Sequence, residues 1–472
     1  MLKQKFFALT LVSAAGMMSG AYADAYVWTG AEDGFWTNRA NWTLNGEVPS
    51  RAPGVPFDEM TKANNYYWNA SEEAKARKGE DVEFGAVAPG AATTVDLDGL
   101  FCIHQVTVKA NAPAYTFGTS SSQVLSIEAG TSAGKGGSFI LEEGLETLPT
   151  MTACFSPGGW STGTTASADL VNNTGKELVL NDIAWQRYVG LDKTYGYLET
   201  CFKGTGTYRI KGGTDGLGAS FNPLHVFDIY APKVTITSEN RANRTFNYMW
   251  HIQFYSDGSE LEIPEGTLVA TRDGGSSPAV ASIDGSGRLT GSGTLRMYNY
   301  SISGGTINAA RLSVNSGRKL EIAAPIDFIR RSDAQDDWLY IRGGSSAAGG
   351  RICLTGPVPT FTYKSAPTPG GYVFEDNGRT LASDLVERFG AGPLVFTNSG
   401  TLACGVVTNA TLAKEFRFTT GGKTATVANE GAGTLTVEPT VVVQAEGASE
   451  LALEPARAPI ALGAATVTKS EG

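Results

Sequence analysis

Residues 258–263 read GSELEI, a glycine followed by a segment in which glutamate alternates with leucine and isoleucine. Similar segments occur at 175–180 (GKELVL), at 317–322 (GRKLEI) and, one residue longer, at 447–453 (GASELAL). Alternation of polar and apolar residues is typical of a β-strand with one buried face. Because glycine tolerates the left-handed backbone of a tight turn, the repeat predicts short strands that each follow a glycine turn.

The spacing of these segments suggests that the strands are stacked. The first three copies begin 83 and 59 residues apart, close to four and three units of about 20 residues. One short strand cannot bury its own apolar side chains, but copies stacked about 4.8 Å apart can do so. We therefore predict an all-β fold, a parallel β-solenoid, with one or more β-sandwiches as the alternative because their turns also recur at short intervals.

The longest alternating run covers residues 245–255 and predicts another strand. One face of this strand carries a row of mostly aromatic residues, and the opposite face is mostly polar. Such an aromatic row either packs in a core, which is the preferred interpretation, or forms a flat platform for carbohydrate rings. Tyr248 and Trp250 are therefore candidate ligand-binding residues. The row consists of Phe246, Tyr248, Trp250, Ile252 and Phe254.

The composition excludes several classes of protein. Glycine accounts for 58 of the 472 residues, the hydrophobic fraction is 42% and the charged fraction is 18%. This apolar content is too high for a disordered chain, and the glycines lack the Gly-X-Y period of collagen. The formal net charge is −10 without runs of lysine or arginine, so nucleic acid is not an expected partner.

An export signal is predicted at the amino end. Lys3 and Lys5 precede an apolar run, and residues 21–23 (AYA) form a cleavage pattern. We predict that residues 1–23 are a signal peptide cleaved near Ala23, and that the protein is secreted, periplasmic or on the outer cell surface. No transmembrane segment is expected, because no later apolar run reaches about 18 residues.

The cysteine pattern predicts neither a zinc site nor a disulfide scaffold. The chain has no C-x-x-C motif and only 3 histidines, so no metal or cofactor is expected. Buried free thiols are the preferred interpretation. Any disulfide pairing stays open, and an odd number leaves at least one thiol without an intramolecular partner. The five cysteines are Cys102, Cys154, Cys201, Cys353 and Cys404.

The order of motifs near the amino end resembles a known family. Residues 26–36 (YVWTGAEDGFW) are followed by 41–42 (NW), 48–49 (VP), 81–85 (DVEFG) and 94–97 (TVDL). This order is similar to the opening of bacterial surface proteins with autotransporter-associated β-strand repeats. The resemblance implies a secreted protein with a right-handed parallel β-helix, and it supplies no catalytic residues. The family's C-terminal membrane barrel is not predicted from the strands of this sequence.

Three tryptophans in this opening need a physical role. A stack of strands exposes apolar side chains at its first layer and requires a cap. Large aromatic rings offer much area for covering such an end. We predict that Trp28, Trp36 and Trp42 form a structural cap or pack in the core, with a sugar-stacking surface as the alternative.

The chain is divided as follows in this interpretation. The signal peptide of residues 1–23 precedes a cap with the first coils at 24–100. The β-helix body covers 101–355. A C-terminal β region at 356–472 follows a proline-rich stretch that begins it.

The densest charged cluster of the sequence is a candidate for chemistry. Asp336 and Asp337 precede Trp338, and paired carboxylates near an aromatic ring could serve glycoside hydrolysis. Adjacent residues of a strand point to opposite faces, so this pair would have to lie on a loop. A solvated loop is the preferred interpretation, and a glycan or cation contact is the alternative for these three residues.

These observations favour a non-enzymatic function. We predict a secreted or surface-exposed structural or adhesive β-helical protein, with extracellular glycans or other surface proteins as partners. The alternative is a β-helical polysaccharide lyase or glycoside hydrolase. Residues 209–211 (RIK) are shared with polygalacturonase-like enzymes, but the Asn-Thr-Asp and Gly-His-Gly motifs that accompany them are missing. We therefore assign no catalytic residue.

Overall fold

The computed structural model gives an all-β fold, and this confirms the predicted fold class. Its helical segments, among the residues that it describes, are two 3-10 turns at Arg39–Asn41 and Val386–Phe389. None of the described helices is long and apolar enough to cross a membrane. The described residues are 25–56, 80–128, 136–158, 165–183, 197–212, 224–240, 244–246, 249–270, 282–301, 307–308, 311–314, 317–330, 338–343, 349–357, 359–362 and 371–469.

Most strands of the first half are short. Up to residue 183 they are β1 (Tyr26–Trp28), β2 (Trp42–Thr43), β3 (Val55–Pro56), β4 (Asp81–Phe84), β5 (Thr94–Val95), β6 (Leu100–Cys102), β7 (Gln105–Val108), β8 (Thr116–Phe117), β9 (Val124–Glu128), β10 (Ser138–Leu141), β11 (Thr150–Met151), β12 (Cys154–Gly158), β13 (Thr165–Asn172) and β14 (Glu177–Leu180).

The middle of the chain contains the longest strand. The strands here are β15 (Tyr197–Gly204), β16 (Thr207–Ile210), β17 (Leu224–Ile229), β18 (Lys233–Ile236), β19 (Thr245–Phe246), β20 (Met249–Glu262), β21 (Leu268–Ala270), β22 (Ser282–Thr290), β23 (Thr294–Ser301), β24 (Ile307–Asn308), β25 (Arg311–Val314), β26 (Lys319–Ile322), β27 (Ile326–Arg330), β28 (Trp338–Gly343), β29 (Arg351–Leu354) and β30 (Thr360–Thr362).

Strands continue to the carboxyl end of the described chain. They are β31 (Gly371–Phe374), β32 (Arg379–Ser383), β33 (Leu394–Phe396), β34 (Gly400–Cys404), β35 (Ala410–Phe418), β36 (Thr424–Asn429), β37 (Leu435–Val443), β38 (Glu450–Glu454), β39 (Ile460–Leu462) and β40 (Thr466–Lys469).

One parallel ladder, called the first ladder here, begins at β1 and continues through β4, β7, β10, β13, β15, β17, β20, β22, β25, β28, β31, β33, β35 and β37. Its strands align so that buried side chains stack directly on one another, which is how a single apolar position per strand becomes part of a continuous core. One in-register row comprises Phe227, Ile252, Ile283, Leu312, Ile341, Phe374, Phe396 and Phe418.

A second ladder contains the glycine-turn repeat. It connects β14, β16, β18, β20, β22, β26, β29, β32, β34, β36 and β38 in parallel. The four repeat copies precede or lie on β14, β20, β26 and β38. Their turn glycines all have positive φ, at Gly175 (70°), Gly258 (84°), Gly317 (67°) and Gly447 (112°). Both features follow from the local sequence, because the turn needs glycine and the strand needs alternation.

The predicted repeat unit of about 20 residues is shorter than the sequence separation between paired residues on most neighbouring strands of this ladder. Leu178 pairs with Tyr208, 30 residues later, and Leu289 pairs with Ile322, 33 residues later. Further strands lie between such partners, as β15 does between β14 and β16. The unit therefore contains more than one turn and one strand, which is why the motif spacing misjudged it.

Smaller parallel sheets accompany the two ladders, and they contain β5–β8–β11, β9–β12 and β19–β21–β23–β27–β30. Among the described strands, the antiparallel pairs are β1–β2, β3–β6 and β23–β24. Both ladders continue across the proline-rich stretch, since Leu339 pairs with Tyr372 and Ile352 with Leu381. The chain thus forms a long, mostly parallel sheet that is consistent with a parallel β-helix.

Candidate functional site

A polar cluster lies on the face of the first ladder that is opposite to the core. Phe202 on β15 and Phe227 on β17 point into the core and are fully buried. Because side chains alternate along a strand, their neighbours Cys201 and Asp228 point to the opposite face. These two residues are in-register partners on adjacent strands, and both are 0% exposed. A buried acid here is unusual, because aspartate is almost never fully buried unless it is paired.

The cluster brings three potential ligand groups together. One ligand atom each from Glu199, Cys201 and Asp228 lies within 4.8 Å of the others. Cys201 Sγ is 3.8 Å from Asp228 Oδ2 and 3.7 Å from the hydroxyl of Ser167. Within the described residues, neither Asp228 Oδ1 nor Asp169 Oδ1 has a hydrogen-bond partner. The site therefore holds buried acceptor capacity that the described chain does not use.

The electrostatics of the cluster disfavour additional negative charge. Burial raises the pKa of Asp228, and the neighbouring Glu199 carboxyl raises it further. Burial also raises the pKa of the Cys201 thiol, with the charge of Asp228 as the next cause. The ammonium of Lys203 lies 2.6 Å from Asp169 Oδ2 and neutralises that carboxylate. In the absence of another cation, we expect Asp228 and Cys201 to retain their protons at neutral pH.

Two tyrosines lie beside this cluster. The rings of Tyr230 and Tyr255 are stacked, with centroids 4.3 Å apart and an interplanar angle of 3°. Lys203 Nζ is 5.4 Å from the centroid of Tyr230. Tyr255 is 43% exposed, although burial of the rest of its ring and the nearby Asp228 raise its pKa. The pair therefore presents an aromatic surface to solvent next to charged groups.

The predicted aromatic row is buried wherever the structure describes its side chains. Phe246, Ile252 and Phe254 are between 1% and 2% exposed, and they belong to the hydrophobic core. Tyr248 lies outside the described residues. Trp250 belongs to β20, but its side chain is not among those described. Ligand binding by these last two residues stays a prediction.

Most of the predicted acidic cluster lies outside the residues that the structure describes. Asp336 and Asp337 lie outside the described residues, and Trp338 is the first residue of β28, with a side chain that is not described. The positions of these three side chains therefore lie outside what the structure describes. A glycan or cation contact there stays a prediction.

The three amino-terminal tryptophans are buried together. The ring of Trp42 lies 5.0 Å from that of Trp28 and 4.7 Å from that of Trp36, both measured between centroids. Phe84 near the start of the first ladder contacts all three rings. Each indole N–H donates to a backbone carbonyl, as Trp42 does to Trp36 at 2.9 Å. Their position is that of core residues, and the capping role stays a prediction.

Among the described residues, a histidine–carboxylate pair further along the same face has no nucleophile hydrogen-bonded to its imidazole. His251 Nε2 forms a short contact with Asp284 Oδ2, and Ser282 Oγ donates to the same oxygen at 3.2 Å. Burial opposes ionisation of Asp284, but the hydrogen bond from His251 lowers its pKa. The serine contacts the carboxylate rather than the imidazole, so the histidine does not activate it.

The sequence contained a signal for the polar cluster that motif spacing did not capture. Residues 199–203 (ETCFK) place acidic, thiol and basic groups at alternate positions of a strand around the core residue Phe202. All five cysteines are buried and free, but only the pairing of β15 with β17 reveals that Cys201 meets Asp228.

The chain matches no protein-family model, and no curated protein or solved structure gave a match.

Proposed function

We propose that the protein is a secreted or surface-exposed β-helical scaffold that binds extracellular glycans through the tyrosine pair. The observation that carries this proposal is the exposed ring of Tyr255 stacked on Tyr230 beside the Lys203–Asp169 ion pair. The scaffold is taken to be a right-handed parallel β-helix, and the two parallel ladders support it. The predicted signal peptide of residues 1–23 supports export.

Aromatic rings and neighbouring charges suit carbohydrate recognition for separate reasons. The apolar face of a sugar ring can stack on an aromatic side chain, which has a large surface and few rotatable bonds. A small number of placed polar groups then fixes the orientation of the ligand. Lys203 supplies donors and Asp169 supplies acceptors next to the Tyr230–Tyr255 stack. The tyrosines and the ion pair thus offer both kinds of contact within one patch.

The ladder beneath the patch would hold it rigid. Tyr255 follows Phe254, which is 2% exposed and is fixed in register between Ile229 and Gly285. Tyr230 follows Ile229 in the same way on the preceding strand. A site supported by regular strands keeps its geometry better than one on a loop. A rigid array of strands with a glycan patch fits an adhesive or structural role at the cell surface, where other surface proteins are further partners.

A specific observation also favours the enzymatic alternative. Glycoside hydrolysis needs one protonated carboxyl group and one ionised carboxylate, and the raised pKa of Asp228 beside Glu199 provides for the first of these. Asp228, however, is 0% exposed, so a polysaccharide cannot touch it in this conformation. A polysaccharide lyase or glycoside hydrolase is therefore the second candidate.

A glycan array followed by calorimetry with the best-binding glycan tests the proposal. We expect Tyr255→Ala to weaken binding about fivefold, because one aromatic contact contributes about 1 kcal/mol, whereas Tyr255→Phe keeps the stacking. Phe35, an aromatic residue that is 48% exposed, provides the matched control as Phe35→Ala. Unchanged affinity in Tyr255→Ala contradicts the assignment of the patch. Cleavage products in the bound glycan would support the enzyme instead.

A further inference from the structure

We infer that Glu199, Cys201 and Asp228 form a binding site for a divalent transition-metal ion of the zinc class. This inference goes beyond glycan binding and does not depend on it. Glu199 and Cys201 are two residues apart on β15, so their side chains share one face. Asp228 is the register partner of Cys201 on β17. The parallel pairing thus brings two carboxylates and a thiol to one point, where an atom of each lies within 4.8 Å of the others.

Unused buried acceptors in the cluster indicate a ligand independently of this clustering. Asp228 is 0% exposed, and its Oδ1 has no hydrogen-bond partner among the described residues. Asp169 Oδ1, on the adjoining strand, is buried and unpartnered in the same sense. Leaving a carboxylate oxygen buried without a partner costs free energy. A cation bound by Asp228 would remove that cost at Asp228.

The donor set selects the kind of cation. Calcium and magnesium prefer six or more oxygen ligands, and magnesium retains water. A thiolate combined with carboxylates in a closed site suits zinc, which takes about four ligands from sulfur, nitrogen and oxygen. Glu199, Cys201 and Asp228 would supply three of these. Asp169 is not among the residues whose ligand atoms lie within 4.8 Å of one another, so the fourth position is left for water.

The net negative charge of the site favours a divalent cation. Asp169, Glu199 and Asp228 carry three carboxyl groups, and Lys203 carries one ammonium group that is bonded to Asp169. The formal charge of the ionised cluster is therefore −2 while the thiol is neutral and −3 once the thiol is ionised, so a bound divalent ion leaves a net charge of −1. On metal binding the thiol proton of Cys201 leaves to solvent, and the thiolate becomes a ligand. Without a metal, protons shared by the carboxyl groups must provide this neutralisation instead.

Cobalt titration of the full chain tests the inference. The protein is stripped with EDTA and titrated with Co²⁺, because a cobalt–thiolate bond gives a near-ultraviolet charge-transfer band that oxygen ligands do not give. We expect one equivalent of Co²⁺ to produce this band and Zn²⁺ to abolish it. Cys201→Ser should remove the band. Asp228→Asn should weaken Co²⁺ binding on the order of 100-fold. It removes a metal ligand, and the loss of a group that only supports a ligand already costs about 10- to 100-fold in affinity.

Matched controls separate metal binding from folding. Cys404 on β34 is another free cysteine that is 0% exposed, and Cys404→Ser should keep the band and the affinity. Tyr255→Ala should also keep them, which distinguishes this site from the glycan patch. Circular dichroism checks the fold of each variant. If Cys201→Ser does not fold, the result for the isosteric Asp228→Asn decides the test. Absence of Co²⁺ and Zn²⁺ binding by the wild-type chain, or a band that survives in folded Cys201→Ser, overturns the inference.

Discussion

Truncation of Trp42 gives the sharpest test of the amino-terminal cluster. In Trp42→Ala the side chain that contacts the rings of Trp28, Trp36 and Phe84 is removed. Trp42 is 0% exposed, so the whole contact area is lost from the core. The change also removes the hydrogen bond that Trp42 Nε1 donates to the Trp36 carbonyl.

The expected cost follows from these contacts. Truncating a buried tryptophan to alanine costs about 3–5 kcal/mol, because transfer free energy is lost and a cavity remains. We expect a value in the upper half of this range, about 4 kcal/mol or more, because a buried carbonyl also loses its donor. In a stack of strands each layer contacts only its neighbours. The loss should therefore be concentrated in β4 and β7 and fade along the ladders.

Amide hydrogen exchange measured along the chain separates a local from a global effect. A loss of about 4 kcal/mol corresponds to roughly a thousandfold faster exchange where opening is local. We expect this acceleration in Asp81–Phe84 and little change in Thr424–Asn429. The matched variant Phe396→Ala, another fully buried aromatic truncation, should show the reverse pattern. Equal acceleration in both strands of Trp42→Ala would refute the reasoning, because the chain would then unfold as one unit.

The remaining predictions concern one buried base and one close approach of the backbone. Burial lowers the pKa of Lys414 to about 8 from 10.5, so the unfolded chain holds one more proton between these values. Stability should therefore rise with pH across that window by up to about 3 kcal/mol relative to Lys414→Met, measured by urea unfolding at several pH values. Gly285 has φ +97°, and a Cβ there would lie 1.9 Å from the Phe254 carbonyl oxygen. Gly285→Ala should lower the urea midpoint strongly. Gly258→Ala, with φ +84° and open space around it, should cost only about 1–2 kcal/mol of stability. Equal midpoints in the two variants would contradict the steric argument.

Features of the fold that depend on neighbouring residues could be predicted from the sequence. Turn glycines and two-residue alternation are local properties, and they placed the repeats at 175–180, 258–263, 317–322 and 447–453 correctly on strands of one ladder. The all-β fold follows from the same signals. The glycine turns and the alternating strands do not depend on which strands pair. Both predictions are therefore correct although the repeat length was misjudged.

Features that depend on which distant strands pair could not be predicted. Alternation shows that residues 246–254 have an apolar face, but it does not show what covers this face. Among the described side chains of this segment, the exposed aromatic residue is Tyr255, one position beyond the predicted row and on the opposite side. Likewise, Cys201 and Asp228 are separated by 26 intervening residues, and their meeting depends on the register of β15 with β17. No motif of fixed spacing encodes that register.

Outward rows of the second ladder show how an in-register fold normally arranges charge. Lys233, Glu260, Arg288 and Glu321 occupy successive strands in register and alternate in sign. Their charged groups are 3.1 to 3.7 Å apart. Stacking brings equivalent positions to about 4.8 Å, and opposite charges across strands are favourable whereas like charges are not. Sign alternation is thus the ordinary solution for a charged row on this scaffold.

The outward row of the first ladder does not follow that solution. It places Asp169, Asp228 and Asp284 on the same face with only Cys201 and Gln253 between them. Lys203 binds the first aspartate and His251 contacts the last. The central aspartate has a thiol and an amide as its register partners, so its charge must be neutralised by a proton or by a bound cation. This contrast between two rows of one scaffold makes Asp228 the position at which metal binding and simple protonation can be told apart.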